Sequence, residues 1–357
     1  MMIIRMFLYQ RIRSVRRSTM GSLHDLWFIL VSVLFVGFFF LEGFDFGVGI
    51  STRFLGHNEL ERRVLVNTIG PFWDANEVWL ITGTGAIFAA FPNWYATMLS
   101  GYYIPFIIIL LALMGRGVAF EFRGQVNNLK WVKTWDWVIF FGSLIPPFVF
   151  GLIFTSLFRG VPIDGHMNIH AGFSDIVNVY SVLGGAAVTL LSFLHGLMFI
   201  TLRTIGDLQE RARKMAKRVI GVIFLVVLAF FAMSAYDTDM FTRRANITIP
   251  VFVLIVICNV LAVVFMSKKK DGWAFGMTGA GLALTVAMIF ISLFPRVMVS
   301  SLKSAYDLTV ANASSGDYSL KVMTIVALTL LPFVIGSQIW SYYVFRKRVS
   351  HKEPMTY

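Results

Sequence analysis

The run Leu26-Trp27-Phe28-Ile29-Leu30-Val31-Ser32-Val33-Leu34-Phe35-Val36-Gly37-Phe38-Phe39-Phe40-Leu41-Glu42-Gly43-Phe44-Asp45-Phe46-Gly47-Val48-Gly49-Ile50 contains no charged residue except Glu42 and Asp45. A helix rises about 1.5 Å per residue, so this run can cross a hydrocarbon layer about 30 Å thick. In lipid every backbone group must be satisfied inside the segment, which makes the run a helix. Eight further runs of this kind follow: Ala75–Met98, Tyr102–Phe120, Trp137–Phe158, Ile176–Leu202, Val219–Tyr236, Ile247–Met266, Trp273–Phe294 and Val322–Phe345. Composition agrees. Of 357 residues, 57% are hydrophobic and 14% charged, and the mean hydropathy is +0.74. An ordinary soluble domain carries about 25% charged residues. The fold class is therefore an all-α integral membrane protein of about nine spans, with residues 20–357 as a single polytopic domain.

The net charge of +12 does not imply a nucleic-acid partner, because the basic residues cluster between apolar runs. Arg53, Arg62 and Arg63 follow the first span, and Arg123, Lys130 and Lys133 the third. Arg203, Arg211, Arg213, Lys214, Lys217 and Arg218 follow the fifth, Lys268 to Lys270 the seventh, and Arg346, Lys347, Arg348 and Lys352 the last. The gap Phe91-Pro92-Asn93-Trp94 has none. The positive-inside rule places the basic gaps and the C-terminus in the cytoplasm. Nine spans then leave the N-terminus outside. Residues 1–19, with Arg5, Arg11, Arg13, Arg16 and Arg17, contradict this. They read as a basic extension, disordered or a start-site artefact, with Met20 the alternative start. Cys258 is the single cysteine, so neither an internal disulfide nor a cysteine-based metal site is expected.

Acids inside a membrane are costly and point to function. Glu42 and Asp45 share one helix face, as do Asp74 and Glu77, each pair three residues apart. Gly43 and Gly47 form a small-residue pair that admits a close neighbouring helix. If the second helix begins near Val64, all four carboxyls can line one cytoplasmic half-channel, with Glu42 and Glu77 deeper. The alternative is that the acids pair with buried Arg, Asn or backbone groups and only fix packing. Arg116 is either a charge partner for them or an interfacial, snorkelling arginine. His195, inside a span, suits helix-to-helix hydrogen bonding better than haem ligation. His166 and His170 have a metal-like spacing in a loop, a weak signal, and no metal is assigned. Trp94, Trp131, Trp135, Trp137, Trp273 and Trp340 read as an interfacial belt. Pro105, Pro146, Pro147 and Pro332 are expected to kink their helices.

The segment from Glu42 to Gly49, then Arg53-Phe54-Leu55-Gly56, then Gly70-Pro71-Phe72-Trp73-Asp74-Ala75-Asn76-Glu77-Val78-Trp79-Leu80-Ile81-Thr82, resembles subunit II of the cytochrome bd quinol oxidases. Ala86 to Pro92, Arg116 to Arg123, Trp135-Asp136-Trp137 and Gly142 to Pro147 continue the match, and Trp73–Thr82 is its most specific part. The resemblance implies two four-helix bundles plus one peripheral helix. It implies a pseudo-symmetric partner, subunit I, which carries haem b and haem d (or a b-type substitute) and the quinol-oxidising loop. The complex oxidises quinol, reduces oxygen to water with cytoplasmic protons, and so contributes to the proton motive force. A small accessory subunit, membrane lipids and the quinone pool are further expected partners. No catalytic residue and no cofactor is assigned to this chain itself. Asp74 falls at the position implicated in proton supply, with Asp45, Glu42 and Glu77 as further path candidates. Trp73, Asn76 and Arg116 are their expected structural or charge partners. A proton-coupled secondary transporter remains the alternative, because intramembrane acids, glycines and prolines suit it too.

Overall fold

A computed structural model describes residues 23–349. The basic extension 1–19 lies outside the described residues. Among them are thirteen α-helices. In chain order these are α1 (Leu23–Leu55), α2 (Glu59–Ile69), α3 (Trp73–Ala90), α4 (Pro92–Gly101), α5 (Tyr103–Phe122), α6 (Leu129–Arg159) and α7 (Phe173–Ile176), then α8 (Val179–Arg203), α9 (Asp207–Asp237), α10 (Ala245–Ser267), α11 (Asp271–Leu293), α12 (Val310–Ala313) and α13 (Asp317–Val344). Eight of them, α1, α5, α6, α8, α9, α10, α11 and α13, are long and apolar enough to cross a membrane.

The second expected span, Ala75–Met98, is not one helix. The chain runs through α2, turns at Gly70-Pro71-Phe72, resumes as α3 and breaks again at Phe91 before α4. The expected start near Val64 is corrected accordingly. Pro71 has no amide hydrogen for a helix ladder, and Pro92 opens α4, where the missing hydrogen costs nothing. α3 is 18 residues long but opens on Asp74, Asn76 and Glu77, which lowers its hydropathy below that of the other crossings. Pro105 likewise sits in the first turn of α5, not at a kink. Pro146, Pro147 and Pro332 do lie inside helices, as does Pro250 in α10.

Packing divides the helices into two groups. α1 lies against α3 and α6, and α6 against α5. α8 lies against α9 and α11, and α11 against α10. The groups meet where α8 packs on both α1 and α6. α13 rests on α1 and α3, and no residue of its spanning stretch is buried. The α1–α8 seam is closed by glycine. A Cβ on Gly47 would lie 2.7 Å from the Gly196 Cα, and one on Gly43 2.7 Å from Leu282 of α11. Trp94 departs from the belt expectation. It is buried against Phe28 and Phe91, whereas Trp137, Trp273 and Trp340 are exposed.

The two ends differ. At one end Arg123 pairs with Glu59 and Asp136, Arg211 with Glu61, Arg213 with Asp271 and Glu210, and Lys269 with Glu210. These bonds tie together the connections that the sequence marks as basic. At the other end β1 (Arg296–Met298) pairs antiparallel with β2 (Leu308–Thr309), and Arg296 binds Asp239.

Candidate functional site

Four helices meet around the α2–α3 turn. α1 brings Glu42 and Asp45, both fully buried. α3 begins immediately after the turn, so its first two turns carry Asn76 and Glu77 inward. α5 contributes Arg116, which is 0% exposed. α13 contributes Gln338 and Tyr342. The Arg116 Nη2 donates to Glu42 Oε1 and also to Glu77 Oε2, at 3.3 Å for the latter. The guanidinium lies 4.8 Å from the Phe46 ring and 5.8 Å from that of Phe120. Trp73 packs on the same Phe120 at 5.2 Å. Arg116 is therefore a buried charge partner, and the snorkelling alternative is corrected.

Asn76 connects this cluster to its neighbours. Its Nδ2 donates to Asp45 Oδ2 at 2.7 Å, and its Oδ1 accepts from Gln338 Nε2 at 3.0 Å and the Tyr342 hydroxyl at 2.8 Å. Trp79 Nε1 donates to Gln338 Oε1 at 2.8 Å. Among the described residues two carboxyl oxygens, Glu42 Oε2 and Asp45 Oδ1, have no hydrogen-bond partner. Carboxylates only accept, so either oxygen could donate a hydrogen bond only if its carboxyl carried a proton.

Of the four path candidates, Glu42, Asp45 and Glu77 converge, and Asp74 does not. Asp74 is exposed, one turn before Glu77 on α3. Gly43 and Gly47 sit at the seams with α11 and α8. The sequence reading missed Gln338 and Tyr342. For Gln338 a signal was present, because a glutamine within an apolar span is a side chain that hydrogen-bonds a neighbouring helix. His195 is a satisfied core residue: Nδ1 lies 2.9 Å from Thr278 Oγ1, Nε2 lies 3.1 Å from the Phe40 carbonyl, and the ring stacks on Phe275. His170 Nε2 lies 2.9 Å from Asp164. No group of three or more metal-ligating side chains occurs among the described residues.

The family model for cytochrome bd terminal oxidase subunit II matches residues 23–345. The chain is 84% identical over 338 residues to a Bacillus subtilis protein named cytochrome bd ubiquinol oxidase subunit 2, covering 95% of this chain and all of the relative. It is 33% identical to the Escherichia coli cytochrome bd-I ubiquinol oxidase subunit 2, covering 93% of this chain and 96% of that one. Its fold is similar to a chain of the bd oxidase of Geobacillus thermodenitrificans, with TM-score 0.72, 18% identity, and 90% and 98% of the two chains covered. These likenesses leave the transporter alternative without support. The chain belongs to the cytochrome bd terminal oxidase subunit II family, and is thus a membrane-spanning component of an oxidoreductase.

Proposed function

We propose that this chain scaffolds the haem-bearing subunit of the oxidase and relays cytoplasmic protons through the Glu42–Asp45–Glu77–Arg116–Asn76 cluster. The observation that carries the reading is the charge count. Three carboxyls face one guanidinium in a site closed to solvent on the Glu42, Asp45 and Arg116 side. Fully ionised, the cluster would hold a net negative charge inside the membrane, which is strongly disfavoured. A proton carried by Glu42 or Asp45 removes part of that charge. Arg116 holds the remaining carboxylates, and Asn76 holds Asp45 while anchoring α13. Asp74, exposed at the start of α3, is the group that takes up protons, with Glu77 one turn further along.

The haems, in this reading, belong to the partner subunit. They supply the electron transfer and oxygen reduction, while this chain's residues hold and move protons. Quinol is oxidised outside, the C-terminus faces the cytoplasm, and the complex lies in the bacterial cytoplasmic membrane. The test is quinol-driven oxygen uptake by the co-expressed complex, with the reduced-minus-oxidised spectrum recorded on the same sample. Asp74→Asn and Asp45→Asn are expected to lower turnover by about tenfold or more while the haem bands stay intact, a loss on the scale of removing a proton-transfer group. Full turnover in both variants would leave the cluster a purely structural device.

A further inference from the structure

We propose that a cavity at the basic end of the molecule binds one anionic phospholipid, with the phosphate on Arg203, Arg346 and Arg348 and an acyl chain along the aromatic wall. The cavity has a volume of about 500 Å³ and lies between α1, α8, α11 and α13. Its walls include Phe40, Phe44, Phe199 and Phe275, and Arg203, Arg346 and Arg348 line the same cavity.

Arg203 carries the argument. It is 5% exposed. Each of the other buried arginines has a carboxylate partner: Arg116 has Glu42, Arg123 has Asp136, Arg213 has Asp271 and Arg296 has Asp239. Among the described residues Arg203 has no carboxylate. Its Nη1 donates to the Phe345 carbonyl, its guanidinium sits 5.5 Å from the Phe72 ring and 5.9 Å from that of Phe199, and among the described residues its Nε has no partner. A buried cation without a counter-charge is costly. An anion arriving from outside the chain removes that cost.

The surroundings specify the anion. Among the described residues Arg346 meets only the Tyr343 carbonyl and ring, and Arg348 reaches Asp271 at 3.7 Å, a carboxylate already held by Arg213. Guanidinium groups bind phosphate in a paired fork geometry. Aromatic walls behind them suit a hydrocarbon chain rather than a small soluble ion. A zwitterionic headgroup would bring its own cation to a site that already has three, so a net-negative, phosphate-linked diacyl lipid fits best.

The complex, purified in mild detergent with its partner subunit, provides the test. Lipids retained by wild type are identified by extraction and native mass spectrometry. After delipidation, phosphatidylglycerol, phosphatidylethanolamine or inorganic phosphate is added and the melting temperature read. The proposal expects retained phosphatidylglycerol and a stabilising shift with that lipid alone. Arg346→Gln/Arg348→Gln, both exposed, should lower its retention by about fivefold per arginine removed. Arg203→Lys should lower it further. Unchanged retention in the exposed pair overturns the proposal, as does an equal shift with phosphatidylethanolamine or with phosphate alone. A chain ending at Val349 that gains phosphatidylglycerol over the full-length chain also overturns it, because the chain's own tail would then be the occupant.

Discussion

Arg116 shows what a single buried charge does in this fold. Its guanidinium holds two carboxylates from two helices, so its loss strands Glu42 and Glu77 together. Breaking a buried pair from one side typically costs about 3–5 kcal/mol. Arg116→Gln is therefore expected to lower the melting temperature and the yield of assembled complex. Adding Glu42→Gln to that variant should restore part of the loss, because the stranded charge is gone. Equal melting temperatures for the single and double variants would show that the pair is uncoupled. Outside the membrane, Asp164 is the residue to titrate. Its hydrogen bond to His170, helped by the amides of Asn168 and His166, holds its carboxyl down to about 2, below its ordinary 3.8. A depressed carboxyl stabilises the fold above its unfolded value and loses that contribution as pH falls. The order of this loop is thus expected to hold above pH 3.8 and decay toward pH 2. His170→Ala should move that decay to higher pH, read as hydrogen exchange at the His166 and Asn168 amides.

Helix contacts carry the next level. The α1–α8 seam works because Gly47 and Gly196 put backbone against backbone. A Cβ on Gly47 would meet the Gly196 nitrogen at 2.8 Å as well as its Cα. Neither backbone can yield by rotating a side chain, so Gly47→Val or Gly196→Val must spread the helices that join the two bundles. Overpacking of this kind costs about 1–3 kcal/mol or more. Both variants are expected to melt earlier and to recover less haem-containing complex, whereas Gly85→Ala, with nothing within 4 Å, should behave as wild type. The Gly43/Gly47 spacing was legible in the sequence because it repeats at helical period on one element. The turn at Gly70-Pro71-Phe72 was not. Hydropathy averages over a window and passes smoothly across a break whose flanks, Val64–Ile69 and Val78–Ile81, are both apolar. The partners of Asn76 were hidden for another reason: Gln338 and Tyr342 lie 262 and 266 residues away, and periodicity speaks only of neighbours on one helix. The acids announced the site, while the groups that bind them became visible only once α13 was seen beside α1 and α3.

The molecule as a whole has a basic end and a mixed end. Ion pairs link α2 to the α5–α6 connection through Arg123, α2 to α9 through Arg211, and α9 to α11 through Arg213. Every cluster that the sequence assigned to the cytoplasm within the described residues thus belongs to one end of the bundle. Positive charge resists translocation, so that end should be the cytoplasmic one. Thiol labelling separates the two orientations, since the native Cys258 lies within α10 and can be replaced by serine. Gly124, between α5 and α6, has open space around its Cα, and Gly172, before α7, faces Asp175 at ordinary contact distance. In the Cys258→Ser background, a membrane-impermeant maleimide added to whole cells should label Gly172→Cys and spare Gly124→Cys until the cells are opened. The reverse pattern would put Asp74, Glu77 and the arginine-rich cavity on the outside. Protons would then have to enter the buried carboxyls from the face to which the proposed function assigns quinol oxidation, and the proposed reaction would no longer separate charge through this chain.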